Sequence, residues 1–239
     1  MKNKIIEVRN LSFSYGDEPV LSQLQLTVEA GDFAAVIGAN GVGKSTLFSL
    51  LLGQLKPSGG QIRLFDGAPS DRAVLRRVAY ISQHAVQGYR HFPTTIEEAV
   101  RVHLRLLHKK QPIRPLLQRV GLEELGDRRL CELSGGQLQR VALLLAVLKE
   151  AELILLDEPT TGIDQAFAGE LYRLLRGLVD AGRTVVMVTH HPEAAYAYIN
   201  RLYELHNGQI GELPLTSFDQ KSATGEGMGI KTSAKGGTD

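Results

Sequence analysis

Apolar residues fall along this chain in two rhythms: short unbroken runs and longer helical stripes. Phe33 to Ile37, Leu153 to Leu156 and Thr184 to Val188 are almost wholly apolar. Runs this short, bounded by polar or turn-forming residues, predict strands buried on both faces, the habit of a parallel sheet. Ile5–Val8, Val20–Leu21 and Leu24–Val28 are strand-like, with turns at Tyr15-Gly16-Asp17 and Ala30-Gly31-Asp32 between them. Gln61–Phe65 and Val78–Ser82 read as further strands. A helix is expected over Lys44–Leu52, stopped by Gly53. Another carries Ile96, Val100, Leu104 and Leu107 on one face and Arg101, Arg105 and Lys109 on another. Thr94 or Thr95, with Glu97 or Glu98 three residues on, makes its capping box. A break at Pro112 to Pro115 leads to a second helical pattern near Leu116–Val120.

Val141 to Leu148 is continuously apolar, so the helix Gln137–Lys149 should be buried on most faces. Asp164 is a good N-cap for a helix bearing Phe167, Leu171, Leu174, Leu175 and Leu178 and ending near Gly182. Asn207-Gly208 marks a short polar hairpin. Strands alternating with helices give an α/β chain, and the fifty or so residues from His84 to Glu132 read as a helical insertion in it. Beyond Phe218 the chain is rich in Gly, Ser, Thr and Lys, and a disordered tail is expected.

Chemistry enters at the end of the first buried run. Gly38, Gly43, Lys44 and Ser45 fit the pattern G-x-x-x-x-G-K-[ST] between a strand and a helix, the context that this phosphate loop requires. Glycines let backbone N–H groups turn toward phosphate oxygens, and the helix N-terminus adds partial positive charge. Lys44 would reach the β- and γ-phosphates, and the Ser45 hydroxyl would serve Mg²⁺. At the end of the second run stand Asp157 and Glu158. Asp157 is placed to hold Mg²⁺ through a water, and Glu158 to act as general base on a water attacking the γ-phosphate. A second anion site appears at Leu133-Ser134-Gly135-Gly136-Gln137, which opens the most apolar helix. A chain that already has a phosphate loop needs a second anion, or a second chain, to use it.

Composition narrows the class without changing it. The 239 residues carry a net charge of +1, which is neither a nucleic-acid footprint nor an acidic tail, so no nucleic-acid partner is expected. One cysteine, Cys131, excludes an internal disulfide framework. No apolar run approaches the ~20 residues of a membrane span, and the N-terminus is unlike a signal peptide.

Taken in order, these motifs resemble the ATP-binding subunit of an ABC transporter over about residues 4–213. Gly38–Thr46 resembles the Walker A loop, Leu133–Gln137 the signature motif and Leu153–Glu158 the Walker B strand. Tyr15 resembles the aromatic that stacks on adenine, Gln83 the Q-loop glutamine, Gly162-Ile163-Asp164 the D-loop and His190 the switch histidine. The resemblance implies a P-loop NTPase core, a mixed sheet with flanking helices, plus an N-terminal antiparallel β region and a helical subdomain. It implies one domain over residues 4–216, the subdomain over 84–133 and a tail over 217–239. ATP and Mg²⁺ would be held by Tyr15, Gly38, Asn40, Gly41, Gly43, Lys44, Ser45, Thr46, Gln83 and Asp157. Across a face-to-face homodimer, Ser134, Gly135, Gly136 and Gln137 would complete the partner's site, Asp164 would organise the interface, and Glu158, His190 and Gln83 would be catalytic. The further partners implied are integral membrane permease subunits and, indirectly, a solute-binding protein. The subunit would be cytoplasmic and peripheral on the inner face of the membrane. Leu145 stands where the family usually shows an arginine, Ala39 replaces a common proline and His191 a common aspartate.

The stretch Gly88 to Thr95, with its Phe-Pro-Thr, resembles the zinc and manganese uptake branch, as do Tyr172-Arg173-Leu174 and Thr189-His190-His191-Pro192-Glu193. The expected function is therefore ATP-driven import of a metal ion, zinc first. Manganese, an iron chelate or another solute are the alternatives, and a non-transport regulatory ATPase is the reading from a different class.

Overall fold

The computed structural model describes residues 3–82, 88, 93–161, 165–190 and 192–215. The chain opens with two long antiparallel strands, β1 (Lys4–Tyr15) and β2 (Glu18–Glu29), joined by a tight turn at Gly16-Asp17. With β4 (Gly59–Leu64) they form a sheet in the order β2-β1-β4. These strands run well past the short apolar stretches that announce them. Register shifts between Val8 and Leu11, and again around Phe13, break the strict alternation of period two, so the sequence pattern stops short of the strand ends.

The second sheet is built from β3 (Phe33–Ile37), β5 (Val78–Ile81), β6 (Leu153–Asp157), β7 (Thr184–Val188), β8 (Arg201–His206) and β9 (Gln209–Leu213), in the order β5-β6-β7-β3-β8-β9. All neighbours are parallel except β9, which returns antiparallel to β8 through the Asn207-Gly208 turn. The central strands β3, β6 and β7 are apolar but for Thr184 and Asp157, because each feeds two cores. Phe33, Ala35, Ile37, Ile154, Leu156, Val185 and Met187 pack on one face, and Ala34, Val36, Leu153, Leu155, Val186 and Val188 on the other.

The second of these faces is covered by α1 (Lys44–Leu51), through Leu47, Phe48, Leu50 and Leu51, and by the three-stranded sheet. A short helix, α2 (Arg72–Arg76), capped by Asp71, lies alongside and has no clear periodic signal. The first face is covered by α3 (Ile96–Leu106), α4 (Ile113–Gln118), α5 (Gly135–Leu148) and α6 (Gln165–Asp180). The helices of the insertion thus share one continuous core with the sheet.

Of the alternatives at the start of α3, Thr95 with Glu98 forms the capping box: Glu98 N–H donates to Thr95 Oγ1 and Thr95 N–H to Glu98 Oε2. Three expectations need correction. Lys109 lies beyond α3 rather than on its polar face, and its Nζ donates to the Leu148 carbonyl at the end of α5 and pairs with Glu150 at 2.8 Å. The second helix of the insertion begins at Ile113, because Pro115 falls in its first turn, where a missing N–H costs nothing. The closing hairpin is not polar throughout, since Leu202, Tyr203 and Leu205 of β8 are buried beside β3.

Candidate functional site

Strand register brings the site together. Val36 of β3 stands opposite Val188 of β7, which stands opposite Asp157 of β6. The chain therefore leaves all three strands at one level, and Gly38, Glu158 and His190 follow within two residues of that line. Ligands of open α/β sheets bind at this carboxyl edge.

The phosphate loop links β3 to α1. A side chain at Gly38 would place Cβ 2.4 Å from the Leu205 carbonyl oxygen, and one at Gly43 (φ 107°) would place it 2.8 Å from Val20 Cγ1. Both glycines are thus demanded by close packing as well as by backbone conformation. The side chain of Lys44 is almost wholly enclosed, at 7% exposure, and its Nζ donates to the carbonyls of Gly38 (2.8 Å) and Ala39 (2.9 Å). Asn40, Gly41 and Ser45 are exposed, and Thr46 is half-buried. Gly43 caps α1 without a side-chain hydrogen bond, so the first N–H groups of the helix face the loop with no capping oxygen on them. This cradle of glycines, free donors and one enclosed ammonium fits a polyphosphate.

Two carboxylates face it. Ser45 Oγ donates to Asp157 Oδ2 at 3.2 Å, with Tyr80 Oη 3.5 Å from the same oxygen. Burial holds the Asp157 carboxyl above its usual range; the Ser45 hydroxyl opposes that and the neighbouring Glu158 charge adds to it. Burial and the Asp157 charge push the Tyr80 phenol up to about 12. A hydroxyl and a carboxylate this close, both oxygen donors, suit a hard divalent cation such as Mg²⁺.

Glu158 adopts a left-handed backbone (φ 52°), held by its own N–H donating to the Val188 carbonyl at 3.0 Å. Strain of this kind, ~1–3 kcal/mol, persists where surrounding structure fixes it. The twist turns the side chain toward β7, where His190 Nδ1 lies 2.6 Å from Glu158 Oε2. Thr161 Oγ1 is 3.5 Å from the same oxygen.

Tyr15 is 54% exposed at the end of β1, braced edge-on by Phe13, with ring centroids 4.8 Å apart. Its open ring face can stack on a base.

The signature segment forms the N-terminus of α5. Gln137 N–H donates to Ser134 Oγ, and Ser134 N–H donates to Gln137 Oε1, a reciprocal capping box. The side chain of Gln137 is thus committed to the cap, while Ser134 and Gly135 are exposed. The adjoining cavity, about 260 Å³, is lined by Gly121, Leu122, Ser134, Gly136, Gln137, Arg140 and Phe167, none of them from the phosphate loop.

Gln83, the Gly162-Ile163-Asp164 segment and His191 lie outside the described residues. Leu145, at the family's arginine position, is buried in the core, beside a cavity of about 170 Å³ lined by Tyr80, His103 and Lys149 among others. Sequence reasoning passed over Tyr80 and Thr161, whose hydroxyls reach the two carboxylates. Only their nearness in sequence to Gln83 and Glu158 could have flagged them.

The model of the ABC transporter family matches residues 21–161, from β2 through the phosphate loop and signature segment to the carboxylates. The chain belongs to the ABC transporter family. The ABC ATP-binding subunits similar to it include the zinc uptake system ATP-binding protein ZurA of Listeria innocua, 36% identical over 85% of this chain and 83% of that one. The ergothioneine transport ATP-binding protein EgtV of Helicobacter pylori is 35% identical over 84% of this chain and 97% of its own. Among solved structures, cbiO1 of Clostridium perfringens, part of the ABC transporter complex cbiONQ, superposes with a TM-score of 0.78 at 26% identity, covering 92% of each chain. This ABC subunit binds ATP and hydrolyses it in the service of transport. Among its described residues no helix is long and apolar enough to cross a membrane.

Proposed function

We propose that this ABC ATPase powers uptake of a metal ion, zinc, as a homodimer seated on membrane permease subunits at the inner face of the membrane. The observation that carries the catalytic part is the convergence of Lys44, Ser45, Asp157, Glu158 and His190 at one sheet edge. In this reading Lys44 exchanges its two carbonyl partners for phosphate oxygens. Mg²⁺, held by Ser45 and Asp157, neutralises phosphate charge when bound. Glu158 accepts the proton of the attacking water, and His190 fixes the orientation of that carboxylate. Tyr15 stacks on the base.

The exposed Ser134 and Gly135, with half-buried Gly136, serve a partner's nucleotide. Their cavity takes no residue from their own phosphate loop, which supports a second copy as the recipient. Gln83 and Asp164 complete the site as sensor of the metal or water and as interface residue. One ABC domain spans residues 4–216, with residues 84–133 as the subdomain facing the permease.

Zinc as cargo is supported by the Listeria innocua relative and by the Phe92-Pro93-Thr94 wording; the ergothioneine relative marks the alternative. The test is reconstitution with the permease and its solute-binding protein. Zinc-loaded binding protein is expected to stimulate ATP hydrolysis, and stimulation by manganese or an organic solute alone would overturn zinc as the cargo.

A further inference from the structure

The guanidinium of Arg140 is the meeting point of three helical elements. Arg140 sits on α5, less than two turns after Ser134. Its Nη1 donates to the Val120 carbonyl, just beyond α4, at 3.1 Å. Its Cζ lies 3.9 Å from the centre of the Phe167 ring on α6, within cation–π range. Its Nη2 is 3.8 Å from Glu170 Oε2, one turn further along α6. The backbone is shaped to admit it: Gly121 has φ 63°, and a Cβ there would stand 2.7 Å from Nη1. Two cavities share Gly121 and Phe167 in their walls: one of about 260 Å³ at Ser134, which Arg140 also lines, and one of about 370 Å³ lined by Gln118, Glu170 and Arg173 among others. A guanidinium is suited to this post, since it stacks and donates in one plane where an ammonium cannot.

We propose that Arg140 is a positioning residue that locks the signature turn Ser134–Gln137 in register with α4 and α6. It touches no substrate. It fixes the angle at which Ser134 is offered to the partner's nucleotide, and it ties the helical insertion to the helix that follows the catalytic carboxylates. The inference rests on the dimer reading above. Loss of the lock should therefore weaken dimer closure and turnover while leaving nucleotide affinity at the subunit's own phosphate loop intact.

The experiment measures ATP-driven dimerisation by analytical ultracentrifugation in a Glu158→Gln background, alongside nucleotide affinity of the isolated subunit. Arg140→Ala is expected to weaken the dimer by about 10-fold or more, with subunit nucleotide affinity held within about 2-fold. Arg140→Lys should be intermediate, keeping a donor for Val120 but losing the planar stack. Phe167→Leu should weaken the dimer too, and its effect should be less than additive with Arg140→Ala. If Arg140→Ala fails to fold, Arg140→Lys at unchanged Tm carries the test. Unchanged dimer affinity in the lysine variant, or full additivity with Phe167→Leu, overturns the lock. If Glu158→Gln itself stays monomeric with ATP, the dimer reading fails instead.

Discussion

The side chain most exposed to competing demands is Asp157. It stands in a half-buried position that disfavours its charge, yet the proposed Mg²⁺ site calls for it as an ionised oxygen donor. A carboxyl held above its ordinary range takes up a proton more readily folded than unfolded. Its ionised form therefore costs the nucleotide-free subunit stability above that raised value, and the cost disappears as pH falls through it. Two outcomes follow. Asp157→Asn should raise the Tm of the nucleotide-free subunit at neutral pH while cutting Mg²⁺-dependent hydrolysis by at least the ~10–100-fold that outer ligands of a metal carry. Mg²⁺ affinity of the native site, titrated by nucleotide fluorescence, should begin to fall at a higher pH than an ordinary aspartate would allow. A Tm lowered by the asparagine would show that Asp157 is held by favourable partners instead. Its neighbour Glu158 depends on His190, 2.6 Å away. His190→Ala should lower kcat on the order of 10²-fold, with subunit ATP affinity unchanged, in steady-state and binding assays read together. Equal losses in both would make His190 a ligand for nucleotide rather than a holder of the carboxylate.

Helix α5 separates structure from chemistry at a single cap. Ser134 Oγ accepts from the Gln137 N–H, so Ser134→Ala should cost about 1 kcal/mol of stability whatever its role with nucleotide. Ser134→Asp keeps an oxygen for the cap but turns a negative charge outward. Near-native Tm by calorimetry and strongly reduced ATP turnover are expected of the aspartate variant. Native turnover would limit the turn to capping.

The elements also show where the sequence speaks and where it is silent. Phe33–Ile37 and Thr184–Val188 end where their apolar runs end, because a strand buried on both faces writes its whole length in apolar residues. The strands β1 and β2 do not, since exposed positions and register shifts interleave with the buried ones. In α2, five residues with Val74 alone buried are too few to make a stripe. The phosphate loop was legible because loop, strand and helix each constrain it locally. The pairing of His190 with Glu158 was not, because it depends on the register of β6 against β7 across 32 positions of chain. The work of Arg140 was invisible for the same reason: Val120 and Phe167 come to it from elements distant in sequence.

At the scale of the whole molecule, the phosphate loop opens α1 on one side of the sheet and the signature segment opens α5 on the other. The sheet carries the phosphate loop, and the helical face carries Ser134, with one apolar cluster running unbroken beneath the insertion and the sheet. In the dimer proposed above, the Ser134 turn closes on the phosphate loop of a second copy. The chain holds its own reporter of that event. Cys131, its single cysteine, is exposed two residues before the signature segment. The most direct measurement is alkylation of Cys131 in the Glu158→Gln variant with and without Mg·ATP, with mass measured by light scattering in the same samples. Mass should double with ATP and labelling of Cys131 should slow, and both changes should be lost in Glu158→Gln/Ser134→Asp. A variant that binds ATP fully yet keeps its monomer mass and its unhindered Cys131 would contradict the dimer.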